Sequence, residues 1–498
     1  MPYFIAIDIG TTHCKAIIVN EKAETVHAFK LPVISIIDEH GRHEQDAALI
    51  FQSVLSLLQQ CLQAVNKNEI GCISFSAAMH SILLLDKNGN PLTNAFTWAD
   101  TQSKLYAQQL KSSGEAESIY QQTGTPIHAM SPLCKLLWLK NEQVELFAKA
   151  EKFISIKEYI FYRLFGIFIV DEGIASATGL YDIYNACWCA DALKLAGIDE
   201  TKLSKVVSAT HIENELIHEI KTLLNIENNI PFVSGGNDGC LANLGCGALT
   251  ENEAALTIGT SGAVRVAIPG SSVTEAEKIL KPEEKGLFKY ILSKDLFVTG
   301  GPINNGGIAL QWFAENFLGN AIQSAEDFDM VMALAAKAPA GSDGLIFLPY
   351  LLGERAPVWD EDATAMFYGV RFVHKRVHLT RAVIEGISFS LLQILNAVEK
   401  ANGAVNKVFV SGMVTKSDWW MQLLADMFGK TIVLNETADA SALGAAFMGM
   451  YATGFIKDLS EVKGFLAASK SFEPDGKNHA LYAQQFKLYV SLYPAFKA

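Results

Sequence analysis

The chain has 498 residues, 50% hydrophobic and 19% charged, with 37 Gly. This excludes a disordered or fibrous chain and a single small module, and predicts about two to four packed domains. A net charge of −13, from 40 Lys and Arg against 53 Asp and Glu, argues against nucleic acid or an anionic membrane as partner, so an anionic small ligand needs a local cationic pocket.

Met1 leads straight into a strand-like run, residues 3–7, instead of a basic leader. No stretch approaches the ~20 consecutive apolar residues of a membrane span, so a cytoplasmic protein is expected. The first elements read strand (residues 4–8), tight Gly-Thr turn (9–12) and strand (15–19), which is a β-hairpin. Apolar residues then recur at helical spacing over 46–64, and strand character returns over 70–75. That alternation predicts an α/β layer architecture.

Later, an apolar run at 230–233 enters Ser234-Gly-Gly-Asn-Asp-Gly239. A second strand, Gly-Thr tip and strand follows at 253–258, 259–262 and 263–266. The repeat at about half the chain length predicts two similar lobes facing a cleft, residues 1–245 and 246–498. Residues 480–493 keep apolar spacing and predict a closing helix. Eight Cys without a CxxC pair read as reduced, buried thiols, not as a metal or redox site.

Asp8-Ile-Gly-Thr-Thr12 carries a chemical logic. A carboxylate ending a buried strand can hold Mg²⁺, Gly10 lets backbone approach closely, and Thr11 and Thr12 can face phosphate oxygens. An ordinary hairpin would explain it equally well, but a second Gly-Thr tip on a facing lobe favours a clamp for one nucleotide. Asp238, flanked by glycines at a strand end, is the best candidate base for a substrate hydroxyl, with a simple tight turn as the alternative. A carboxylate is a weak base for an alcohol, so the role suits phosphoryl transfer, where the proton moves late.

These segments, with Asn305-Gly-Gly-Ile-Ala-Leu-Gln311-Trp, Pro349-Tyr-Leu-Leu-Gly-Glu-Arg355-Ala-Pro and Ala442-Leu-Gly-Ala-Ala446, resemble in order the motifs of FGGY-type carbohydrate kinases over nearly the whole chain. The resemblance implies the two-lobed actin/hexokinase/Hsp70-like (ribonuclease H-like) ATPase fold, with sugar deep in the cleft and ATP across its mouth. It makes Asp8 the Mg²⁺ ligand and Asp238 the base, and puts Thr11, Thr12, Gly259 and Thr260 at the phosphates. Gly307 and Gln311 would lie along the nucleotide. Gly412, Met413 and Ser417, followed by Trp420, Gln422 and Asp426, resemble the adenosine segment. Two departures stand out: His13 where the family commonly has Ser, and Met413 with Val414 in place of glycines, although a Met can cover an adenine face.

Met79-His80 resembles the segment that meets sugar hydroxyls in pentulose kinases, and Trp98-Ala-Asp100 a Trp-x-Asp element beside it. His80 and Asp100 can bond hydroxyls, while Trp98 offers a ring face. The alternatives are a core His and an Asp100 that caps a helix beginning at Thr101. Segments around Trp98, Thr123 to Pro132, Lys157 and Ile174 to Gly179 look like the gluconate kinase branch, which implies conversion of D-gluconate to 6-phosphogluconate. A carboxylate acceptor needs a cation or amide donors, and Lys157, Lys135 and His128 are the candidates; a solvated helix residue is the alternative for Lys157. The expected partner is thus a small sugar or sugar acid, with a homodimer compatible with the reading. The rivals are a xylulose kinase and an actin- or chaperone-like ATPase.

Overall fold

β1 (Tyr3–Ile9) shows no alternation of buried and exposed residues, because both of its faces are covered: Phe4 to Ile9 are all buried. The computed structural model describes residues 2–270, 286–435 and 439–497. At Gly10 the chain turns back into β2 (His13–Val19), antiparallel to β1 from the Phe4–Val19 pair to the Ile9–Cys14 pair. β3 (Thr25–Pro32) continues antiparallel as the sheet edge. α1 (Ala47–Ala64) starts where the Asp46 carboxylate accepts from the amides of Ala48 and Leu49, and its Ile50, Val54, Leu57 and Leu58 are buried against the sheet. β4 (Ile70–Ala77) then runs parallel to β1. After α2 (Ile156–Phe165) and the short β5 (Ile212–Glu213), β6 (Phe232–Asn237) pairs parallel with β4 and antiparallel with β5, and leads into α3 (Asp238–Cys246).

The second half opens with the same figure. β7 (Glu253–Ile258) and β8 (Gly262–Pro269) form a hairpin, from the Ala254–Val266 pair to the Ile258–Gly262 pair. β9 (Phe288–Ser293) and β10 (Leu296–Ile303) follow, then α4 (Gly307–Phe313), the long α5 (Arg376–Asn402) and β11 (Lys407–Gly412), which is parallel to β7. α6 (Asp418–Phe428), β12 (Thr431–Asn435), α7 (Ala440–Ala452), β13 (Ala468–Phe472) and α8 (Gly476–Phe496) complete the chain.

The sheets run in the orders β5-β6-β4-β1-β2-β3 and β9-β10-β8-β7-β11-β12-β13. Six strands correspond one to one. In each sheet a hairpin has a further antiparallel strand beyond its second arm and two parallel strands beyond its first, closed by an antiparallel edge. The Gly-Thr tips occupy equivalent places in the two sheets.

Although α7 belongs to the second half of the sequence, it packs on β1, β4 and α3 of the first. Its Ala/Gly surface permits this. A Cβ on Gly444 would stand 1.9 Å from the Leu241 carbonyl oxygen, so only hydrogen fits there.

α1 and α5 are long and apolar enough to cross a membrane by length and composition, although polar residues interrupt both so that neither has ~20 consecutive apolar residues. In the fold 78% of the apolar window of α5 is buried, whereas α1 buries 44% of its window, the face it turns to the sheet. The closing helix is longer than its periodic stretch because the Asp475 carboxylate caps it by accepting from the Asn478 amide. Seven of the eight Cys are buried free thiols, whereas Cys187 is exposed, contrary to the expectation for all eight.

Candidate active site

Between the sheets lies a cavity of about 240 Å³ whose wall includes Met79, His80, Trp98 and Asp238 from the first half of the chain and Gly259, Arg265, Tyr290 and Arg355 from the second. Asp238 opens α3 directly after β6, in a turn fixed by Asn237, whose side chain accepts from the Cys240 amide. Burial pushes the Asp238 carboxyl up to about 6, the nearby Asp8 charge adds to this, and Arg265 opposes it. A carboxylate near that value is ionised at neutral pH and is a stronger base than an ordinary Asp.

Behind it, Asp8 is 4% exposed at the end of β1. Its Oδ2 accepts from the Ser441 hydroxyl at 3.0 Å, while Oδ1, near the Ser76 hydroxyl, has no hydrogen-bond partner of ordinary geometry. Burial and the Asp439 charge raise its pKa against the pull of Lys15, which pairs with Asp439 at 2.6 Å. A buried orphan oxygen among hard carboxylates suits a small divalent cation such as Mg²⁺.

His80 has φ +68° and its Nδ1 lies 2.7 Å from the Ala177 carbonyl oxygen. A carbonyl only accepts, so Nδ1 carries the proton and Nε2 is left as an acceptor. Burial first, then Lys135 and Arg355, lowers the pKa to about 3, so the ring is neutral. Trp98 donates its indole N–H to Thr11 Oγ1 at 3.0 Å, and the Arg355 guanidinium lies 4.6 Å from its ring centre.

Three acceptor-side expectations change. Asp100 is fully buried and does not line the cavity: Oδ2 accepts from the His43 amide and the Gln102 side chain, Oδ1 from the Gln102 amide, and the next helix begins at Lys104, not Thr101. Lys157 is neither solvated nor on the cavity wall. It is 3% exposed, pairs with Asp171 at 2.7 Å and donates to the Gly236 carbonyl at 3.0 Å, bracing β6 from behind. Lys135 is fully buried and donates to the carbonyls of Ala129 and Met130, and burial holds the His128 pKa well below the usual value, so that ring is neutral. The cations that reach the cavity are Arg265 and Arg355.

On the other side of the Gly-Thr tips, the Gly307 amide donates to the Gly259 carbonyl at 2.7 Å and the Ile308 amide to Thr260 at 3.0 Å, fastening the start of α4 to the second tip. Thr12, at the first tip, is exposed, with its hydroxyl 3.2 Å from His13 Nδ1. Gly412 ends β11 at φ +98°, where a Cβ would stand 2.3 Å from the Ile258 carbonyl oxygen. Met413 is 38% exposed, and its sulfur stands 3.2 Å from where a Gly307 Cβ would be, while Val414 is buried core. Ser417 caps α6 by accepting from the Trp420 amide.

Other members of that segment are held by the protein itself. Gln311 donates to Glu315 and accepts from the Ile322 amide. Trp420 is fully buried and donates to Ser388, and Asp426 accepts from Gln422, the Asp475 amide and Asn478.

Sequence reasoning assigned no role to Arg265, Arg355, Asp439 or Ser441. Arg265 did carry a signal: it is the one charged residue in the apolar strand β8. Arg355 lies inside the Pro349–Pro357 motif. Nothing local marks Asp439 or Ser441, which meet β1 and β2 only through the fold.

The profile of the FGGY family of carbohydrate kinases matches this chain over residues 3–245 for its N-terminal domain and 254–453 for its C-terminal domain. A gluconokinase of Bacillus licheniformis is 37% identical over 98% of this chain and 95% of its own length. Two solved structures from Lactobacillus acidophilus, one described as gluconate kinase and one as ligand-bound xylulose kinase, each superpose over 100% of both chains with a TM-score of 0.91 and 34% identity.

Proposed function

We infer that this chain, which belongs to the FGGY family of carbohydrate kinases and has its two-lobed actin/hexokinase-like ATPase fold, phosphorylates D-gluconate with ATP to give 6-phospho-D-gluconate. The observation that carries the choice of acceptor is the full-length likeness to the Bacillus licheniformis gluconokinase.

In this reading the primary alcohol of the acceptor lies against Asp238, which takes its proton as the bond to the phosphoryl group forms. His80 Nε2 accepts from an acceptor hydroxyl, and Met79 and Trp98 cover its C–H faces. Thr11, Thr12, Gly259 and Thr260 present backbone and hydroxyl groups to the phosphates from the two tips. Gly307, Gly412 and Met413 flank the nucleotide, with the Met413 thioether against an adenine face. Bound Mg²⁺ would be held by Asp8 and would offset charge on the phosphate oxygens. We place the division of labour near residue 245, with the acceptor and base in the first lobe and the nucleotide in the second, and place the enzyme in the cytoplasm.

A second reading, phosphorylation of D-xylulose, is favoured by the neutral part of the wall, Met79, His80 and Trp98, and by the likeness to the solved xylulose kinase. Initial rates with ATP and Mg²⁺ on gluconate, D-xylulose, glycerol and no acceptor separate the readings. Gluconate is expected to lead in kcat/KM by about tenfold or more, or about 1.4 kcal/mol. A lead for xylulose overturns the choice of acceptor, and ATP turnover that ignores the acceptor overturns the kinase site itself.

A further inference from the structure

We propose that Glu361 is a positioning residue: it takes hold of Lys111 and His128 across the cleft and keeps the two domains closed over the inter-sheet cavity; this rests on the kinase reading above. The N-terminal domain supplies Lys104, Gln108 and Lys111, all on one helix (Lys104–Ser112), together with His128, and the C-terminal domain supplies Trp359, Glu361 and Asp362. Lys111 donates to the Trp359 carbonyl at 2.9 Å, and its Nζ lies 3.6 Å from Glu361 Oε2. Lys104 pairs with Asp362, to which Gln108 also donates at 3.3 Å. His128 Nδ1 accepts from the Met130 amide, so the neutral ring carries its proton on Nε2, which is 3.4 Å from Glu361 Oε1. Both atoms are buried and neither has a hydrogen-bond partner of ordinary geometry, so a small further approach of the domains would satisfy both.

A short loop ties this carboxylate to the cavity wall. Glu354 and Asp360 exchange backbone hydrogen bonds at 2.8 and 2.9 Å, so Arg355, in the wall, and Glu361, outside it, move together. Between them Trp359 has φ +48°, a strained conformation for a bulky residue. Contacts from both domains impose it: the indole N–H donates to the Gly286 carbonyl at 2.8 Å, and the ring meets His128 edge-on at 5.4 Å. Strain of this kind persists only where the surroundings over-determine it, and it collects at clamps.

The seam is polar and open. A cavity of about 560 Å³ lies beside it, lined by Gln108, Lys111, Trp359 and Glu361 among others, so long side chains span a gap instead of packing as a core. The exposed Lys104–Asp362 pair adds little by itself. Glu361 and His128 differ, because their side chains are only 8% and 6% exposed, and parting them leaves buried polar groups unpaired. The inter-sheet cavity has walls from both domains, so a sugar enters and leaves as they separate. Closing the seam brings Arg355 over Trp98 and, in the kinase reading, shuts water from the phosphoryl group.

The test is a double-mutant cycle of Glu361→Gln and Lys111→Met on the full chain, with D-gluconate as acceptor, or D-xylulose should it lead in the intact protein. Each single variant is expected to raise the acceptor KM about threefold or more, with kcat changing less. Each should also release more ADP than phosphorylated acceptor, whereas the intact protein keeps the two near equality. The double variant should be no worse than the worse single, because both substitutions remove one contact. Effects that multiply in the double variant overturn the proposal, as does an acceptor KM or an ADP ratio that stays at the intact value. Should Glu361→Gln not fold, Lys111→Met alone, on a side chain 31% exposed, is read on the same two measurements. Phosphorylation with both readouts unmoved defeats only the role of Glu361, whereas an intact protein that phosphorylates no acceptor defeats the kinase reading.

Discussion

The Trp98 indole N–H donates to Thr11 Oγ1 at 3.0 Å, which ties the wall of the inter-sheet cavity to the tip of the first hairpin. In the proposed reading, in which the cavity takes the acceptor and the tip the phosphates, filling one site bears mechanically on the other. Trp98→Phe keeps a ring beneath Arg355 but removes this bond, worth about 0.5–1.5 kcal/mol. The KM values for acceptor and for ATP should both rise by a few fold, with the melting temperature nearly unchanged. A steady-state matrix of the two substrates checks it, and an unchanged acceptor KM would detach Trp98 from the cavity's function.

Asp238→Asn should fold and lose about 10²- to 10⁴-fold in turnover, the usual weight of a general base. It should also melt at a higher temperature at pH 7. The native pKa is raised to about 6, above that of an unfolded Asp, so the ionised carboxylate costs stability above that pH and the amide removes the cost. Near-normal activity would end its assignment as base.

The same raised value predicts a pH profile. The base works when deprotonated, so kcat/KM should fall with decreasing pH through about 6. Arg265 pulls that pKa down, and Arg265→Gln should therefore move the acidic limb to higher pH. Rate profiles of the two proteins between pH 5 and 9 decide it; a limb that stays in place would show that Arg265 does not act on the base.

Lys157→Met should destabilise the first lobe by about 3–5 kcal/mol, because it leaves Asp171 buried without its partner. Acceptor KM should hold, since the side chain does not reach the cavity. Replacing both residues, Lys157→Met with Asp171→Asn, which removes the charge but keeps the oxygen that accepts from the Ile174 amide, should recover much of the loss in a thermal melt. A large rise in acceptor KM for a folded Lys157→Met would return this residue to the binding site.

Gly444→Val should separate α7 from α3, since even a Cβ there would stand 1.9 Å from the Leu241 carbonyl oxygen. Loss of soluble folded protein, or a melting point lower by many degrees, is the expected result. A normal melt would show that the helices can shift apart freely.

Local patterns made the two hairpins legible, because a strand, a Gly-Thr tip and a return strand are set by residues within a dozen positions of one another. Asp8, Asp238 and the tips could be picked out for the same reason, as could the family, whose motifs are contiguous in sequence. The cations of the site could not. A lysine on a helix gives no sign that Asp171 will bury it, and Asp100 gives none that the His43 amide will occupy its carboxylate.

Sequence alone thus determined the duplicated hairpin framework, the order of the kinase motifs and the acidic groups at strand ends. Only the tertiary structure decided that Arg265 and Arg355, not Lys157, Lys135 or His128, face the cavity, and that Asp439 and Ser441 stand beside Asp8. The physical reason is range. Backbone conformation follows from neighbours along the chain, whereas the burial and pairing of a charge depend on groups that arrive from other strands, in the case of Ser441 and Asp8 from 433 residues away.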